Sequence, residues 1–493
     1  MAEAPHAAPQ PAAAEPGTAM QRRSVIRKLS ILIPVYNEIR TLRTLLDKVL
    51  AVPLPCDREL VIVDDGSKDG SRDVLREYAA RYPGVVRVFF HKKNGGKGKA
   101  IRSAISQMQG DWAIIQDADL EYDPADYMVL LEPVEKGIAD AVFGSRFLSG
   151  RYRRAMFFWH TMVNKFLTLT SNVLNDLNLT DMETCYKLMR ADILRNMVIR
   201  SKGFDLEPEL TAKLALWGAR IYEVPISYRG RTYAEGKKIG VRDVWPAFSA
   251  MFKYRFASDY TRHDGFAILQ AVRKARRFNR WLFDQFSSFL GEEVLEAGCG
   301  IGNLTEMVLN KRRLVALDCE DFYVERLRTA YGHMENLTVG RADLTQIGDI
   351  TRWSGNKPFD SVFCINVLEH IEADETVLKN FHSVLKPGGH AIILVPNDPD
   401  LYSEVDRTLG HFRRYTQREL REKLERAGFR VVKTSGFNRV GGLGWRLSGM
   451  MGKTTLSGFQ MSVFEALMPL VKIAEHVIPH SPNSLIAIAR KEA

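Results

Sequence analysis

Two acidic clusters stand at the ends of short apolar runs: Asp64-Asp65 closes Leu60 to Val63, and Asp117-Ala118-Asp119 follows Trp112 to Ile115 after one Gln. Two carboxylates at DxD spacing, emerging from a buried strand, supply hard oxygen ligands to Mg²⁺ or Mn²⁺, and the ion can complete its shell with diphosphate oxygens. A DxD alone is common on solvated surfaces. Here it follows Pro34-Val35-Tyr36-Asn37-Glu38 and Val63-Asp64-Asp65-Gly66-Ser67, and the order and spacing of the three make a stronger signal. The chemistry these residues suit is nucleotide diphosphate handling.

A second cluster is built of glycines. The run Glu293 to Leu295 leads into Glu296-Ala297-Gly298-Cys299-Gly300-Ile301-Gly302-Asn303. Glycines there let the backbone pass close to a ligand, but a nicotinamide fingerprint counted from Gly298 needs its third glycine at position 303. Asn303 occupies that place, so the dinucleotide reading loses ground. Asp318 follows Gly298 by 20 residues at the next strand end, the position suited to gripping ribose hydroxyls, and Asp343, in Arg341-Ala342-Asp343-Leu344, lies where a loop could meet an adenine amino group. His370 and His411 offer bases. The lysine-rich Gly95-Gly96-Lys97-Gly98-Lys99 lacks the four-residue gap and the following Ser or Thr of a phosphate-binding P-loop, which excludes ATP hydrolysis by that route.

Elements that position these residues are legible in the hydropathy pattern. β-rich apolar runs recur at Leu29 to Ile33, Leu60 to Val63, Val85 to Phe90, Trp112 to Ile115 and Ala141 to Phe143, with helical patterns filling most gaps. That rhythm predicts βαβ units and a mainly parallel sheet with functional loops at strand carboxyl ends. A second series runs through Glu293 to Leu295, Leu314 to Leu317, Ser361 to Ile365 and Ala391 to Val395. Between the two series the basic, amphipathic stretch from Tyr260 to Phe289 predicts a connecting helix packed on the second domain.

The chain has 493 residues, 45% hydrophobic and 26% charged, an ordinary globular balance for more than one domain. Five scattered cysteines without a CxxC pair give neither a disulfide framework nor a structural zinc site, and fit a reducing cytoplasm. The first twenty residues hold eight Ala and four Pro with no apolar h-region, so they read as a tail rather than a signal peptide. No run reaches the length of a spanning helix. The net charge is +10, and Arg220 to Asp284 alone carries 14 Lys or Arg against 6 Asp or Glu. Such a patch favours an anionic partner, such as nucleotide phosphates or a phospholipid surface, while no RNA-binding signature accompanies it.

On these motifs the first half resembles the inverting family 2 glycosyltransferases of GT-A type, in the branch of the dolichol-phosphate mannose and glucose synthases, over about Leu29 to Phe256. The likeness extends through Asn94-Gly95-Gly96-Lys97-Gly98, Gly144-Ser145-Arg146, Thr180-Asp181-Met182-Glu183, Glu207-Pro208-Glu209 and Tyr228-Arg229-Gly230-Arg231 to Lys237-Lys238. The resemblance implies that Pro34, Tyr36, Glu38, Val63 and Asp65 hold base and ribose. It also implies that Asp117, Ala118 and Asp119 hold metal and diphosphate, and that Arg146, Arg231 and Lys237 grip phosphates. A phosphate acceptor needs little general base; a hydroxyl acceptor would take Asp181 or Glu183. The chain departs from the family pattern at Thr184-Cys185-Tyr186, where a small residue and Gly are usual.

The second half resembles the class I S-adenosylmethionine-dependent methyltransferases over about Phe266 to Phe437, through Val294 to Thr305, Ala316-Leu317-Asp318, Phe359 to His370 and Val384 to Gly389. That likeness implies that Glu296, Gly298, Gly300 and Gly302 contact the methionine part of the donor, Asp318 the ribose, Asp343 the adenine, and that Asn366 lies in the loop facing substrate. Methyl transfer from a sulfonium mainly needs alignment and removal of the acceptor proton, for which His411, in Gly410-His411-Phe412-Arg413-Arg414-Tyr415, is the favoured base.

The expected organisation is a tail over 1–28, a GT-A domain over 29–258, a basic connecting helix over 259–290, a Rossmann-like class I methyltransferase domain over 291–437 and an extension over 438–493 packing on it. The expected function is bifunctional: metal-dependent transfer of a sugar from a nucleotide sugar to a polyprenyl phosphate or glycan, and methylation of a small molecule, glycan or glycolipid, on the cytoplasmic face of an anionic membrane. The competing readings are an RNA methyltransferase with an accessory domain, and a glycosyltransferase regulated by a non-catalytic S-adenosylmethionine-binding domain.

Overall fold

The computed structural model describes residues 25–148, 157–203, 205–230, 244–257, 260–262, 264–440, 464–477 and 481–492. Its backbone groups into two units, one taking residues up to Leu169 with Asn178–Ala191 and Ala219–Gly240, the other taking Thr170–Leu177, Asp192–Gly218 and Val241 onward.

The first unit is an α/β alternation: β1 (Lys28–Val35), α1 (Ile39–Ala51), β2 (Asp57–Asp64), α2 (Ser71–Arg81), β3 (Val86–Phe90), α3 (Lys97–Gln107), β4 (Trp112–Ile115), α4 (Tyr127–Glu135) and β5 (Ala141–Ser145). The helix α5 (Phe158–Asn175), strand β6 (Lys187–Arg190) and strand β7 (Ile221–Pro225) follow, and between β6 and β7 the chain forms the short helix α6 (Ala191–Asn196) and the helix α7 (Leu206–Trp217), which group with the second unit. The strands form one sheet in the order β3-β2-β1-β4-β6-β5-β7. All pairs are parallel except those of β6, which runs antiparallel to both β4 and β5. Strands β1 and β2 bury near-continuous runs, as a sheet covered on both faces requires, and α1 lays Leu42, Leu45, Leu46 and Val49 into the core at i, i+3, i+4, i+7 spacing.

The strand order reverses between β1 and β4. At such a switch point the loops at the carboxyl ends diverge and leave a crevice, the usual ligand site of open α/β sheets. Pro34 to Glu38 ends β1 and Asp117 to Asp119 follows β4, so both motifs flank this crevice.

The second unit continues with α8 (Val244–Arg255), α9 (Asp264–Lys274), α10 (Arg276–Asp284), β8 (Glu293–Ala297), β9 (Arg313–Asp318), α11 (Asp321–Tyr331), β10 (Leu337–Arg341), α12 (Ile347–Ser354) and β11 (Phe359–Ile365). It closes with α13 (Asp374–Val384), β12 (Leu385–Pro396), α14 (Glu404–Thr408), α15 (Gln417–Arg426), β13 (Phe429–Phe437), α16 (Met468–Val477) and β14 (Ser484–Lys491). The sheet order is β10-β9-β8-β11-β12-β14-β13, parallel up to β12 and antiparallel at β14. One face packs Leu295, Leu317, Val362, Phe381 and Ile393, the other Val294, Leu314, Phe363, Ile392 and Ile488. Here the order reverses between β8 and β11, which places the glycine-rich loop after β8 and Asn366 after β11 on either side of a second crevice.

The expected connecting helix is two helices, α9 and α10, broken at Ala275, whose backbone (φ −85°, ψ 66°) leaves the helical region. Phe278 and Trp281 pack against one core cluster of the second unit. In the same unit the last carbonyl of α7, on Trp217, accepts hydrogen bonds from Gln270 Nε2 (2.8 Å) and Arg326 Nη2 (2.9 Å). A helix ends with unpaired carbonyls and a negative dipole, and these donors satisfy both. The indole of Trp217 packs against Phe266 and Phe322, with ring centroids 4.4 and 5.7 Å away. Among the described residues no helix is long and apolar enough to cross a membrane.

Candidate functional site

In the first unit each loop at the crevice is tied to the next. The Asp64 carboxylate turns back to accept the N–H groups of Gly66 and Ser67 and is paired with Arg72 Nε at 2.7 Å. Gly66 holds φ +86°, and a Cβ there would stand 2.8 Å from the Asn94 nitrogen, so the turn needs glycine to lie against the Asn94 loop. Asp65 is nearly fully buried and accepts the N–H groups of Gly95 (2.9 Å) and Gly96 (2.7 Å), with His91 Nδ1 at 2.7 Å from its other oxygen. Its carboxylate thus holds the glycine loop in place. Val63 is wholly buried within β2, so its side chain is not presented to a base.

Tyr36 is exposed, Pro34 and Glu38 are half-buried, and all three end β1 at the crevice. Thr41 Oγ1 donates to the Ala118 carbonyl at 2.9 Å, joining the start of α1 to the DxD loop. Asp117 Oδ1 lies 2.8 Å from Lys97 Nζ, and Asp119 Oδ1 accepts the N–H of Glu121 at 3.1 Å. Both carboxylates reach solvent in part, and the Asp117 side chain keeps 25% of its surface. Asp117 and Asp119 are accessible oxygen donors of the kind a hard divalent ion takes, and Lys97 stands beside Asp117. Lys97, at the first turn of α3, was named in the sequence analysis without a role, and its ion pair with Asp117 brings it to the DxD loop. Its signal was the Asn94 to Gly98 motif.

The structure brings Arg146 and Asp181 together as one unit. Arg146 donates Nε and Nη2 to the two Asp181 oxygens at 2.7 Å each, and its backbone N–H adds a third bond at 3.0 Å. Burial by itself would lower the guanidinium's pKa, but the facing Asp181 outweighs it and holds Arg146 firmly charged. With both oxygens occupied and no exposed surface, Asp181 is not placed to take a proton from an acceptor, which corrects its expected role as base. Glu223 accepts the N–H groups of Thr180 and Asp181, Thr168 Oγ1 that of Met182, and buried Lys187 donates to the carbonyls of Met182 and Thr184. The loop carrying Asp181 and half-buried Glu183 is therefore fixed from three sides. The departure at Thr184-Cys185-Tyr186 is a core feature: Tyr186 and Tyr127 both donate to Gln116 Oε1 at 2.6 Å. Arg231 and Lys237 lie outside the described residues.

In the second unit Gly298 and Cys299 donate to the Leu317 carbonyl, which folds the glycine loop across the top of β9. Gly298 holds φ +84°, and a Cβ there would meet Val367 Cγ2 at 2.2 Å; the loop after β11 touches it directly. The Gly300 N–H donates to Asp318 Oδ2 at 2.8 Å, so the expected ribose ligand also shapes the loop. Gly302 packs on Leu327. Asp343 is exposed and accepts Thr345 Oγ1 at 2.7 Å, and Asn366 is exposed at φ +54°.

Glu296 is 3% exposed and accepts Thr305 Oγ1 at 2.6 Å; burial pushes its pKa up to about 8, with Asp318 adding to the rise. A carboxyl that titrates near 4.5 when unfolded and near 8 when folded keeps a proton in the native state alone between those values. Its contribution to stability is full below about 4.5 and is lost as pH rises through 8. Chemical denaturation of the donor-free protein should therefore show a slope against pH that Glu296→Gln flattens by on the order of 1 kcal/mol per pH unit. Equal slopes would show that Glu296 ionises normally in the fold.

Beyond the glycine loop, His411 Nδ1 lies 2.9 Å from Asp406 Oδ1, and Arg414 Nε donates to that oxygen at 2.9 Å. Burial alone would raise Asp406, but these two partners hold it down at about 2. The rings of His411 and His370 meet edge to face with centroids 4.7 Å apart. His370, whose edge reaches solvent, is pushed down to about 4 by its crowded surroundings and by His411. Glu369 is 1% exposed, and burial pushes it up to about 8.

Two open α/β sheets, each with polar loops at its switch point, present two crevices of the kind in which such sheets bind ligands. Residues 30–198 match the model of glycosyl transferase family 2 and residues 271–434 that of a methyltransferase domain. The chain is 34% identical over 224 residues to an undecaprenyl-phosphate mannosyltransferase of Micrococcus luteus, covering 44% of this chain and 88% of that one. It is 26% identical to a dolichol-phosphate mannosyltransferase of Pyrococcus furiosus over 43% of this chain and 60% of the relative's length. A solved N-methyltransferase, NodS of Bradyrhizobium japonicum with S-adenosyl-L-homocysteine, aligns at 18% identity and TM-score 0.30 over 45% of this chain and 88% of that one. The chain belongs to glycosyl transferase family 2, and its second half carries a match to a methyltransferase domain.

Proposed function

We propose that the protein transfers a hexose from a nucleotide sugar to a polyprenyl phosphate, with inversion, and O-methylates a glycan or glycolipid in the same pathway. The observation that carries the first half is the 34% identity to an undecaprenyl-phosphate mannosyltransferase across most of that relative's length. The Arg146–Asp181 pair supports it. A phosphate monoester is already a nucleophile at neutral pH, so an acceptor of that kind needs no side chain in the role that Asp181 cannot fill.

In this reading Asp117 and Asp119 hold Mg²⁺ or Mn²⁺, which when bound offsets charge on the departing diphosphate. Lys97 moves from Asp117 to a phosphate oxygen, Tyr36 and Glu38 face the nucleoside, and Asp65 keeps the glycine loop at its distance from the donor. On the methyltransferase side Gly298 to Gly302 admit the donor's methionine, Asp318 binds the ribose and Asp343 the adenine. The stretch Glu369 to His370 with His411 faces the acceptor hydroxyl.

The acceptor's lipid calls for contact with a bilayer. On α5, Trp159, Met162, Phe166, Leu169 and Val173 recur at alternating three- and four-residue spacing, and each is exposed. One apolar face of an 18-residue helix turned to solvent suits the interfacial region of a membrane, with the protein peripheral on its cytoplasmic side.

The fusion is tested with methyl-labelled S-adenosylmethionine, a nucleotide sugar, Mn²⁺ and vesicles containing polyprenyl phosphate. The expected result is label in the glycosylated product and none in the bare lipid phosphate. Label that never enters a glycosylated species, with sugar transfer intact, would remove the shared pathway.

A further inference from the structure

Glu369, His370 and His411 come together from two separate loops, and one ligand atom from each lies within 4.8 Å of the others. We propose that these three side chains form a divalent transition-metal site on the acceptor side of the methyltransferase crevice. Two imidazoles and a carboxylate are the donor set of zinc, iron and related first-row ions, distinct from the all-oxygen pair at Asp117 and Asp119.

Three features beyond proximity point to a ligand. Glu369 is 1% exposed, and its Oε2 has no hydrogen-bond partner, a costly state for a buried carboxyl oxygen that a cation would relieve. His411 presents Nδ1 to Asp406 at 2.9 Å, which fixes the tautomer and leaves the Nε2 lone pair for a metal, the carboxylate–histidine arrangement that orients ligating imidazoles. Asp406 is itself anchored by Arg414 Nε at 2.9 Å and by the Ser403 N–H at 2.9 Å. The two loops are joined through the backbone as well, since the Phe412 N–H donates to the Glu369 carbonyl at 2.8 Å.

Geometry allows closure. Ligands about 2.1 Å from one ion stand at most about 4.2 Å apart, so the cluster needs to tighten only slightly, through the solvent-reaching side chain of His370. Three protein ligands leave open positions for a substrate oxygen. The site stands beside the donor, because Val367, two residues before Glu369, touches the glycine loop at Gly298.

For its role this inference rests on the O-methylation reading. An acceptor hydroxyl bound to the ion becomes acidic enough to lose its proton to solvent water. Its oxygen lone pair then bonds the donor's methyl carbon, and the electrons of the sulfur–methyl bond return to the sulfonium, leaving the neutral thioether S-adenosylhomocysteine. His370 and His411 then act as ligands, and no side-chain base is required.

The test is a Co²⁺ titration of the chelator-treated full-length protein with excess Mg²⁺ present to occupy the hard-oxygen site. One equivalent of Co²⁺ should bind and give the visible bands of an imidazole-ligated ion. His370→Asn and His411→Ala should each weaken binding by about 100-fold or more, and Asp406→Asn by roughly 10- to 100-fold. Native affinity for S-adenosylmethionine, measured by calorimetry on each variant, shows that the domain remains folded. Absence of the Co²⁺ bands, or bands that survive in the His370→Asn/His411→Ala double variant, would overturn the site. Cobalt binding with no methylation of any hydroxyl acceptor would leave the site standing and remove the O-methylation reading instead.

Discussion

Asp119→Asn is expected to lower sugar transfer by about 10³-fold or more while leaving S-adenosylmethionine affinity unchanged. The substitution keeps the side chain's volume and its capacity to accept the Glu121 N–H, so the loop after β4 should hold its shape. It removes one carboxylate charge from the DxD loop, and with it part of the hold on the proposed cation through which the diphosphate would be bound. Interactions that stabilise charge developing on a leaving group contribute several kcal/mol, which sets the expected size of the loss. The measurement is transfer rate at saturating donor, with donor-site affinity for the methyltransferase followed in parallel. A rate within a few fold of the parent would remove Asp119 from the site.

Arg146→Ala should produce the largest loss of stability. Its side chain is 9% exposed and that of Asp181 wholly buried, so truncation leaves a carboxylate without its partner in a dry setting. Breaking such a pair costs about 3–5 kcal/mol, against about 0–1 for an exposed one. Asp181 also accepts the backbone N–H of Arg146 at the end of β5, so the loop beyond that strand should loosen with it. The double variant Arg146→Met/Asp181→Leu separates two roles. It removes both charges, and it should recover much of the lost stability in denaturant melts while sugar transfer stays depressed. Recovery of both would mean that the pair serves packing alone.

The sequence reading succeeded where local pattern decides the structure. Strands β2 and β9 bury continuous apolar runs, Leu60 to Val63 and Leu314 to Leu317, of the kind a sheet covered on both faces requires. Both crevices could be found because their loops carry Gly, Asp and Asn at positions of special backbone geometry next to those strands. Strand β6 was missed: it opens with Lys187, whose buried ammonium caps two carbonyls, so a polar residue sits where pattern reading expects an apolar one. The break at Ala275 was equally hidden, since neither Gly nor Pro marks it.

Pairings across long sequence separations account for the remaining gaps. Arg146 and Asp181 stand 35 positions apart, and each by itself looked like an independent catalytic group. Only the folded arrangement shows that they neutralise one another. Likewise, nothing near Trp217 in the sequence announces that α7 belongs with the second unit; Gln270, Phe266 and Arg326 do that from 49 to 109 residues away. His411 was singled out as a base, and its neighbour Asp406 was not, although Asp406 is what orients it.

The proposed reaction of the family 2 domain is passage of a sugar to a polyprenyl phosphate. Its most direct test is mass spectrometry of products after incubating the full-length protein with a panel of nucleotide sugars, Mg²⁺ or Mn²⁺, and polyprenyl phosphate in vesicles. A single hexose is expected on the lipid phosphate with one donor of the panel, and no product from the Asp119→Asn variant. Slow metal-dependent hydrolysis of a nucleotide sugar, with no lipid product from any donor, would contradict it and point to a hydroxyl acceptor.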